Sequence, residues 1–367
     1  MIKAIYLQTM KQSAYILIFV LATLPGFSQW QAEPVLDSTR LIFSWKINEF
    51  NHTYDTVDID TTLGDFQIFN PAFRHSYSNT YLGNLGQPAL SNLFFNRYRD
   101  NEFLFMRCFI PYAKSAYDTR YFNTKKPFTK LYHTTGDEDE QTFGVFHTQN
   151  VNKDFNFGLK YDLIATEGHY VSSMTRDKAF QVFSSYNGDW YSAHGHFMQN
   201  KFDIDNNGGI TDDYLLEDTM INESQISVKL EEVRTALKDR QYFFSHSLNI
   251  GENKSINVKD TIYYEKYDHF ISLGHTMKYR KSYNMYIENK LPVYTYNNEE
   301  IPFYDHTFNQ NTAFDSAFYQ NFSNTLYLQI KEKKEWPVRA GFYASFTNEE
   351  KKYSYFNIDT LFFNSSD

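Results

Sequence analysis

Two histidines on one predicted strand are the side chains that come nearest to a metal site. His194 and His196 are two residues apart, so both imidazoles point to the same side of an extended strand. Such a pair binds Zn²⁺ when further ligands complete a tetrahedron. His147 or His169 could be the third ligand, but no spacing identifies either one. We therefore predict no metal, and we interpret the pair as imidazoles that face a lumen and contact water.

An acidic segment partly matches a calcium-binding loop. Asp203, Asp205, Asn207 and Gly208 occupy the first, third, fifth and sixth positions of an EF-hand loop. The twelfth position is Tyr214, where the loop needs a bidentate glutamate, and the flanking sequence predicts no helices. An acidic surface loop is the better interpretation, with weak calcium binding as the alternative.

The sequence lacks the short motifs of common enzymes. There is no G-x-S-x-G, no H-E-x-x-H and no phosphate-binding loop. The lone Cys108 has no identifiable basic partner, so a small apolar role on a strand is its default. The net charge is -9 and the basic residues are dispersed, which argues against nucleic acid as a partner. We expect neither an enzyme nor a cofactor.

Four charged residues lie on the polar faces of the clearest predicted strands. They are Lys160, Asp162, Lys278 and Arg280. Together with the two histidines, they are our candidates for side chains that face a lumen. Fixed charges on the wall of a water-filled pore bias which ions pass. The alternative is that the four charges only solvate a rim of the protein.

Period-two alternation is the main structural signal along the chain. Residues 154–164 read DFNFGLKYDLI, with apolar side chains at every odd-numbered position. This alternation predicts a strand with one apolar and one wet face. Asn187 and Gly188 are predicted to supply the positive φ of a tight hairpin turn. The same alternation appears at 178–186, 190–200, 270–281, 326–330 and 338–346, and less clearly at 41–50, 103–112, 142–149, 242–250 and 282–289.

Longer polar segments at 203–218 and 297–314 are predicted to be loops, and 331–335 a polar turn. Residues 227–237 are ambiguous, because their pattern fits a helix about as well as a strand followed by a loop. Helical periodicity is weak elsewhere.

The N-terminus has the layout of a secretory signal peptide. Lys3 and Lys11 precede an apolar run at 14–24, and the small residues Gly26 and Ser28 follow it. The run is shorter than the roughly twenty residues that a membrane-spanning helix needs, so an uncleaved anchor is the weaker alternative. We predict a cleaved signal peptide over residues 1–28 and an exported domain over 29–367.

The aromatic content indicates what kind of β-protein is exported. Aromatic residues make up 19% of the chain, with 30 Tyr and 35 Phe but 4 Trp. An outer-membrane barrel uses such rings on its lipid face and in two interfacial girdles. The mean hydropathy of -0.57 does not oppose this, because only alternate residues face lipid. We predict an all-β, antiparallel transmembrane β-barrel with roughly ten to fourteen strands.

Two further expectations concern closure and the competing fold. The chain ends with polar residues after Phe363, whereas barrels commonly end on an aromatic residue, so we expect a barrel that is incomplete here or closes with few strands. The competing fold is a soluble, secreted β-protein. In that fold the apolar strand faces would converge on an interior and leave no apolar belt outside.

Several segments resemble a known family. Residues 81–97 read YLGNLGQPALSNLFFNR, which resembles the putative porin family of Bacteroidota outer membranes. Similar segments follow in order and cover most of residues 80–250: the residues at 103–117, FNTKKPFTKLYHTTG at 122–136, FNFGLKYDLIATEGHY at 155–170, NNGGITDD at 206–213 and LKDRQYFFSHSLNIG at 237–251. The resemblance implies a porin in the outer membrane, with the lipid bilayer and small solutes as its partners.

The function expected from these observations is passive diffusion of small hydrophilic solutes through a polar lumen. The alternative is a closed outer-membrane barrel with a binding or structural role. A lumen filled by aromatic and charged side chains would favour that alternative.

Overall fold

The structure is a computed structural model, and it describes residues 42–47, 54–59, 67–74, 76–97, 102–216, 222–258, 262–288, 293–296, 299–302, 313–331, 341–357 and 360–366. The predicted signal peptide, residues 1–28, lies outside these ranges and stays a prediction. The described strands, in chain order, are β1 (Ile42–Ile47), β2 (Tyr54–Asp58), β3 (Asn79–Tyr81), β4 (Ala89–Ser91), β5 (Tyr121–Thr124), β6 (Phe128–Thr135), β7 (Gln141–Asn150), β8 (Phe155–Thr166), β9 (Thr175–Asn187), β10 (Tyr191–Asp205), β11 (Val233–Val258), β12 (Ile262–Glu288), β13 (Val293–Tyr296), β14 (Glu299–Pro302), β15 (Ala313–Ile330), β16 (Phe342–Asn357) and β17 (Thr360–Ser366).

One large antiparallel sheet dominates the described residues. It has ten strands in the order β17-β16-β15-β12-β11-β10-β9-β8-β7-β6, and β13 and β14 form a separate hairpin between β12 and β15. Each strand pairs with the next one described in the sheet, which is the arrangement that short hairpin connections allow. The prediction of an all-β antiparallel fold is confirmed. Within the described residues the sheet is not closed, and β6 and β17 are its edges.

The register divides this sheet into two faces of opposite character. On β8, Asn156, Lys160 and Asp162 lie on the face that we call the inner face, whereas Phe157 and Leu159 lie on the outer face. The pairing carries this division from strand to strand, because directly opposed residues point to the same side. On this strand, each of these residues lies on the face that the sequence predicted.

Strands β11 and β12 are much longer than the sequence pattern suggested. They contain 26 and 27 residues, which corresponds to roughly 85–90 Å of extended chain. The predicted separate strands at 270–281 and 282–289 were wrong, because both belong to β12. Alternation continues without a break through this region, with Tyr279, Tyr283 and Met285 on the outer face.

Three inner-face glycines lie directly opposite aromatic residues on neighbouring strands. The absence of a side chain leaves room for each ring to lie across the glycine backbone. A Cβ atom added to any of these glycines would lie 2.0 to 2.3 Å from a ring atom. The pairs are Gly144 with Tyr132, Gly158 with Phe183, and Gly274 with Tyr327.

The strand predicted at 103–112 was wrong. This stretch forms two short 3-10 helices, Leu104–Met106 and Ile110–Tyr112. Its buried apolar residues recur every third position, which matches the three residues per turn of a 3-10 helix rather than a strand. They are Phe103, Met106, Phe109 and Tyr112, each at most 6% exposed.

The other described helices are also short 3-10 turns, at Pro71–Arg74, Phe94–Asn96, Ala116–Asp118, Asp213–Leu216 and Glu223–Gln225. In the part of the chain that the structure describes, no helix is long and apolar enough to cross a membrane.

Other local predictions also need correction. The φ angles of Asn187 and Gly188 are not positive, because Gly188, Asp189 and Trp190 together form the connection and a tighter turn is not needed. Residues 227–237 contain no helix and have the opposite order from the predicted strand and loop, since β11 begins at Val233. The loop predicted at 203–218 starts later, because β10 extends to Asp205. Most of the predicted turn at 331–335 lies outside the described residues.

Candidate functional site

The N-terminal part of the chain covers much of the inner face. We call the described residues between 42 and 124 the inserted segment. Asn84 Nδ2 donates a hydrogen bond of 2.9 Å to the carbonyl of Ser173, and Thr175 Oγ1 donates one of 2.8 Å to the carbonyl of Leu85. Hydrogen bonds between side chains and backbone, with the side chain supplied by either partner, thus hold the inserted segment in place.

Asn200 on β10 makes two hydrogen bonds to one residue of the inserted segment. Its Oδ1 atom accepts a hydrogen bond of 2.8 Å from the Lys114 backbone nitrogen, and its Nδ2 atom donates one of 2.9 Å to the Lys114 carbonyl. Gln181 on β9 donates to Thr119 Oγ1 at 2.6 Å. Both polar side chains are buried. A buried amide without a hydrogen-bond partner is costly, so these bonds favour the position in which the segment lies against the inner face.

The predicted pair of histidines lies beneath the inserted segment. Trp45 Nε1 donates a hydrogen bond of 3.2 Å to His194 Nε2, and the Tyr121 hydroxyl shares one of 2.9 Å with His196 Nδ1. Both imidazoles are buried, at 2% and 8% exposure. The interpretation that they contact water was therefore wrong. A local pattern can show that they share a face, but not that a distant segment covers it.

The remaining candidate metal ligands are elsewhere. His147 points to the outer face, where its Nδ1 atom lies 2.8 Å from Thr129 Oγ1. His169 lies in a loop beside Glu223, at 3.3 Å. Among the described residues, no group of three or more histidine, cysteine, aspartate and glutamate side chains is arranged to hold a metal ion. Asp203, the first residue of the partial calcium-loop match, forms an ion pair with Arg234 through its carboxylate.

Lys160 and Asp162 also interact with covering residues. The Lys160 ammonium lies 5.2 to 5.8 Å from the centroids of three aromatic rings, those of Phe122, Phe146 and Phe183, which is within cation–π distance. Asp162 forms an ion pair with Lys114 of the inserted segment. The charged residues of β8 are thus engaged by the inserted segment.

Arg280 is the centre of a second charged cluster on β11, β12 and β15. Its Nε atom donates to Asp239 Oδ1 at 2.8 Å, and its Nη1 atom lies 3.4 Å from Glu102 Oε2 of the inserted segment. Asp239 is fully buried and also accepts hydrogen bonds from Ser282 at 2.6 Å and Gln241 at 2.7 Å. These contacts give both oxygens of the buried carboxylate hydrogen-bond partners.

A cavity of about 890 Å³ lies between the inserted segment and the strands that follow β9. Its strand wall includes hydroxyl groups on β12, β15 and β16, among which Thr325 Oγ1 lies 2.8 Å from Thr347 Oγ1. Charged residues line the same space: Glu102, Lys114, Asp118, Asp239, Lys278, Arg280, Glu349 and Lys351. Hydroxyls and balanced charges are suited to contact water and polar solutes.

The outer face of the sheet has many exposed apolar side chains. Large hydrophobic residues there are between 38 and 71% exposed, on strands from β6 to β16. Contiguous exposed apolar surface of this kind marks a site that contacts protein or membrane. The residues are Leu131, Val182, Tyr242, Phe244, Leu248, Ile250, Leu273, Phe322, Leu326, Phe342 and Phe346.

The comparison with protein families agrees with this two-faced sheet. A family model described as a putative porin matches residues 41–366, a range that contains every strand described above. The chain belongs to the putative porin family. The resemblance found over residues 80–250 is thereby confirmed, and the family match extends it through β17. No curated protein and no solved structure matches the chain.

All six residues that the sequence singled out lie on the inner face of this porin-family sheet. Lys160, Asp162 and His194 contact the inserted segment on β8 and β10. His196, Lys278 and Arg280 line the cavity, and His196 and Arg280 also contact the inserted segment.

Sequence analysis missed the residues that connect the inserted segment to the sheet. Trp45, Tyr121 and Glu102 are far along the chain from the strand residues that they contact, and nothing in their local sequence identifies those contacts. Asp239 could have been found, because it lies in the same alternating pattern as Gln241 on β11.

Two groups of the inserted segment have altered acidity. Burial raises the pKa of the Tyr112 hydroxyl, and the nearby carboxylate of Asp177 raises it further. Burial also raises the pKa of the Cys108 thiol, and the positive charge of Arg107 offsets part of that increase. Both groups are therefore neutral at physiological pH. They add no charge to the surface of the inserted segment.

Proposed function

We propose that this porin-family protein is a transmembrane β-barrel of the bacterial outer membrane, and that small hydrophilic solutes diffuse passively through it. The observation that supports the proposal most directly is that one sheet has exposed apolar side chains on its outer face and a cavity lined by charged and hydroxyl side chains on its inner face. The family match supports the same function.

The outer face favours a membrane over water. A soluble β-protein would bury its apolar strand faces, whereas here Leu326 and Phe346 are 57% and 71% exposed on that face. A lipid bilayer would cover such side chains, and transmembrane barrels carry an apolar band about 25 Å tall. Strands β11 and β12 exceed the roughly ten residues that a tilted transmembrane strand needs.

The proposal also includes export of the protein and the absence of catalytic activity. Residues 1–28 would act as a cleaved signal peptide, which is the route that an outer-membrane protein of Bacteroidota type requires. The protein would need no cofactor and no catalytic group, because diffusion through a polar lumen depends on width and wall charge.

The cavity beside the inserted segment is the part of the inner face that suits diffusion. Its wall contains hydroxyls and paired charges, and Lys278 and Arg280 belong to it. The inner face of β8 to β10, in contrast, is occupied by buried contacts such as the reciprocal pair of Asn200 and Lys114. We therefore assign the solute path to the side of β11, β12, β15 and β16.

A closed barrel with a binding or structural role is the second candidate. The inserted segment favours it, because rings of this segment such as Phe109 stack on the inner face at 5.0 Å from Phe202. Whether the remaining space admits solutes distinguishes the two functions.

Single-channel conductance in planar bilayers tests the proposal. The protein, refolded from detergent, is expected to give discrete current steps. Lys278→Glu should shift the ion preference toward cations, because it reverses a charge on the cavity wall. Lys126→Glu, in an exposed turn after β5, is the matched control and should leave the preference unchanged. If protein shown to be inserted in the bilayer gives no current steps, the porin function is overturned and the closed barrel is favoured.

A further inference from the structure

We infer that Glu102 of the inserted segment determines the charge preference of the solute path; this inference rests on the function proposed above. The residue belongs to neither the strands nor the predicted polar faces. It enters the cavity from the covering segment. Removing its charge would change the balance of the wall that solutes pass.

The Glu102 carboxylate connects the inserted segment with three neighbouring strands. Its Oε2 atom lies 3.4 Å from Arg280 Nη1 on β12. Its Oε1 atom lies 3.5 Å from Lys351 Nζ on β16 and 3.5 Å from Asn321 Nδ2 on β15. Because Arg280, Asn321 and Lys351 are directly opposed across the register, they form one row on the wall. One carboxylate of the inserted segment therefore contacts two cations and an amide of this row.

The other carboxylates that line the cavity each lie closer to a cation than Glu102 does. Asp118 Oδ1 lies 2.7 Å from Lys46 Nζ. Asp239 is fully buried and is bound by Arg280, Ser282 and Gln241. Its carboxylate is therefore not exposed to solutes in the cavity. Glu349 is adjacent to Lys351, at 3.3 Å, and accepts a hydrogen bond of 2.7 Å from Asn321. Its charge is therefore balanced locally.

Solvent reaches the Glu102 cluster. The side chains of Glu102 and Lys351 are 32% and 28% exposed, whereas that of Arg280 is 15% exposed. A charge in this position acts on passing ions, since an aqueous path with low-dielectric walls focuses the field of fixed charges. Without Glu102, Arg280 and Lys351 together with Lys278 would leave excess positive charge beside the path.

The test measures the reversal potential of single channels under a KCl gradient. Glu102→Gln keeps the shape of the side chain and removes its charge, so the reversal potential should move toward that of chloride. Lys351→Gln removes a cation from the same row and should move it toward that of potassium. Glu350→Gln is the control, because it makes the same replacement on the outer face of β16, where the side chain is exposed and pairs with Lys352. Its reversal potential should equal that of the unaltered protein.

The outcomes separate this inference from the proposed function. If the unaltered protein does not conduct, both are overturned. If it conducts and Glu102→Gln leaves the reversal potential unchanged, the inference alone is overturned. An equal shift in Glu350→Gln would also overturn it, because the effect would then not depend on position. Should Glu102→Gln fail to fold, the Lys351→Gln channel decides, and an unchanged reversal potential there overturns the inference.

Discussion

Trp45 Nε1 and His194 Nε2 are joined by a buried hydrogen bond of 3.2 Å across a separation of 149 residues. The bond connects β1 in the inserted segment to β10 in the large sheet. Since the indole nitrogen can only donate, the imidazole accepts through an unprotonated Nε2. The inserted segment is thus fixed to the inner face by a contact that determines the tautomer of a sheet histidine.

Trp45→Phe is expected to loosen the inserted segment, because it leaves a buried imidazole nitrogen without a donor. The cost should be about 1–3 kcal/mol, the usual penalty for a buried polar atom that loses its partner. The lowered temperature at which the folded band disappears on a semi-native gel measures this. Trp190→Phe, in the exposed connection after β9, makes the same replacement and should leave that temperature unchanged.

Replacing Arg280 by methionine should destabilise the protein strongly. Asp239 would keep a buried charge without its cation, and breaking such a pair costs about 3–5 kcal/mol. The double variant Asp239→Asn, Arg280→Met should recover part of the loss in a denaturation series. Lys352→Met, which breaks the exposed pair with Glu350, should have no measurable effect. An equal loss of stability in Arg280→Met and Lys352→Met would contradict this account.

The glycines beneath aromatic rings predict a position-dependent effect of alanine. In Gly158→Ala, the new Cβ would lie 2.3 Å from Phe183 Cζ and 2.7 Å from the carbonyl oxygen of His147. Overpacking of this size costs about 1–3 kcal/mol. In Gly195→Ala the nearest atom is 3.6 Å away, so that variant should retain its stability. Thermal unfolding of the two variants compares their stability. An unchanged unfolding temperature for Gly158→Ala would contradict the close packing of Phe183 on Gly158.

Leu326→Arg tests whether lipid covers the outer face. An arginine near the middle of a bilayer costs a barrel about 2–4 kcal/mol, so the yield of assembled protein in vesicles should fall. Tyr214→Arg, at 64% exposure in a loop compared with 57% for Leu326, should assemble normally. Normal assembly of Leu326→Arg would argue for a soluble protein.

Alkylation of Cys108 should require a higher pH than alkylation of an exposed cysteine. The thiolate is the reactive form, and burial raises the pKa of this thiol, so less thiolate is present at any pH below that pKa. A maleimide labelling series against pH measures the shift, with the denatured protein as reference. Because this is the one cysteine in the chain, the label reports the inserted segment alone. Identical profiles for the folded and denatured protein would contradict the burial.

The sequence by itself determined the faces of residues in the clearest strands of the large sheet, but not the full extents of β11 and β12. Alternation is a local property, because successive side chains of an extended chain point to opposite sides. Residues such as Lys160 and Phe157 were therefore assigned to opposite faces before any pairing was known. The family was also recognisable from local segments, and the match over residues 41–366 agrees with it.

Only the tertiary structure decided what lies against the inner face. The buried histidines, the Glu102 cluster and the cavity depend on contacts between residues far apart in the chain, which no local period encodes. The stretch from Phe103 to Tyr112 shows the reason. Its apolar residues suggested a strand, but it buries every third residue in 3-10 turns, because packing against the finished sheet decides which of its side chains are covered.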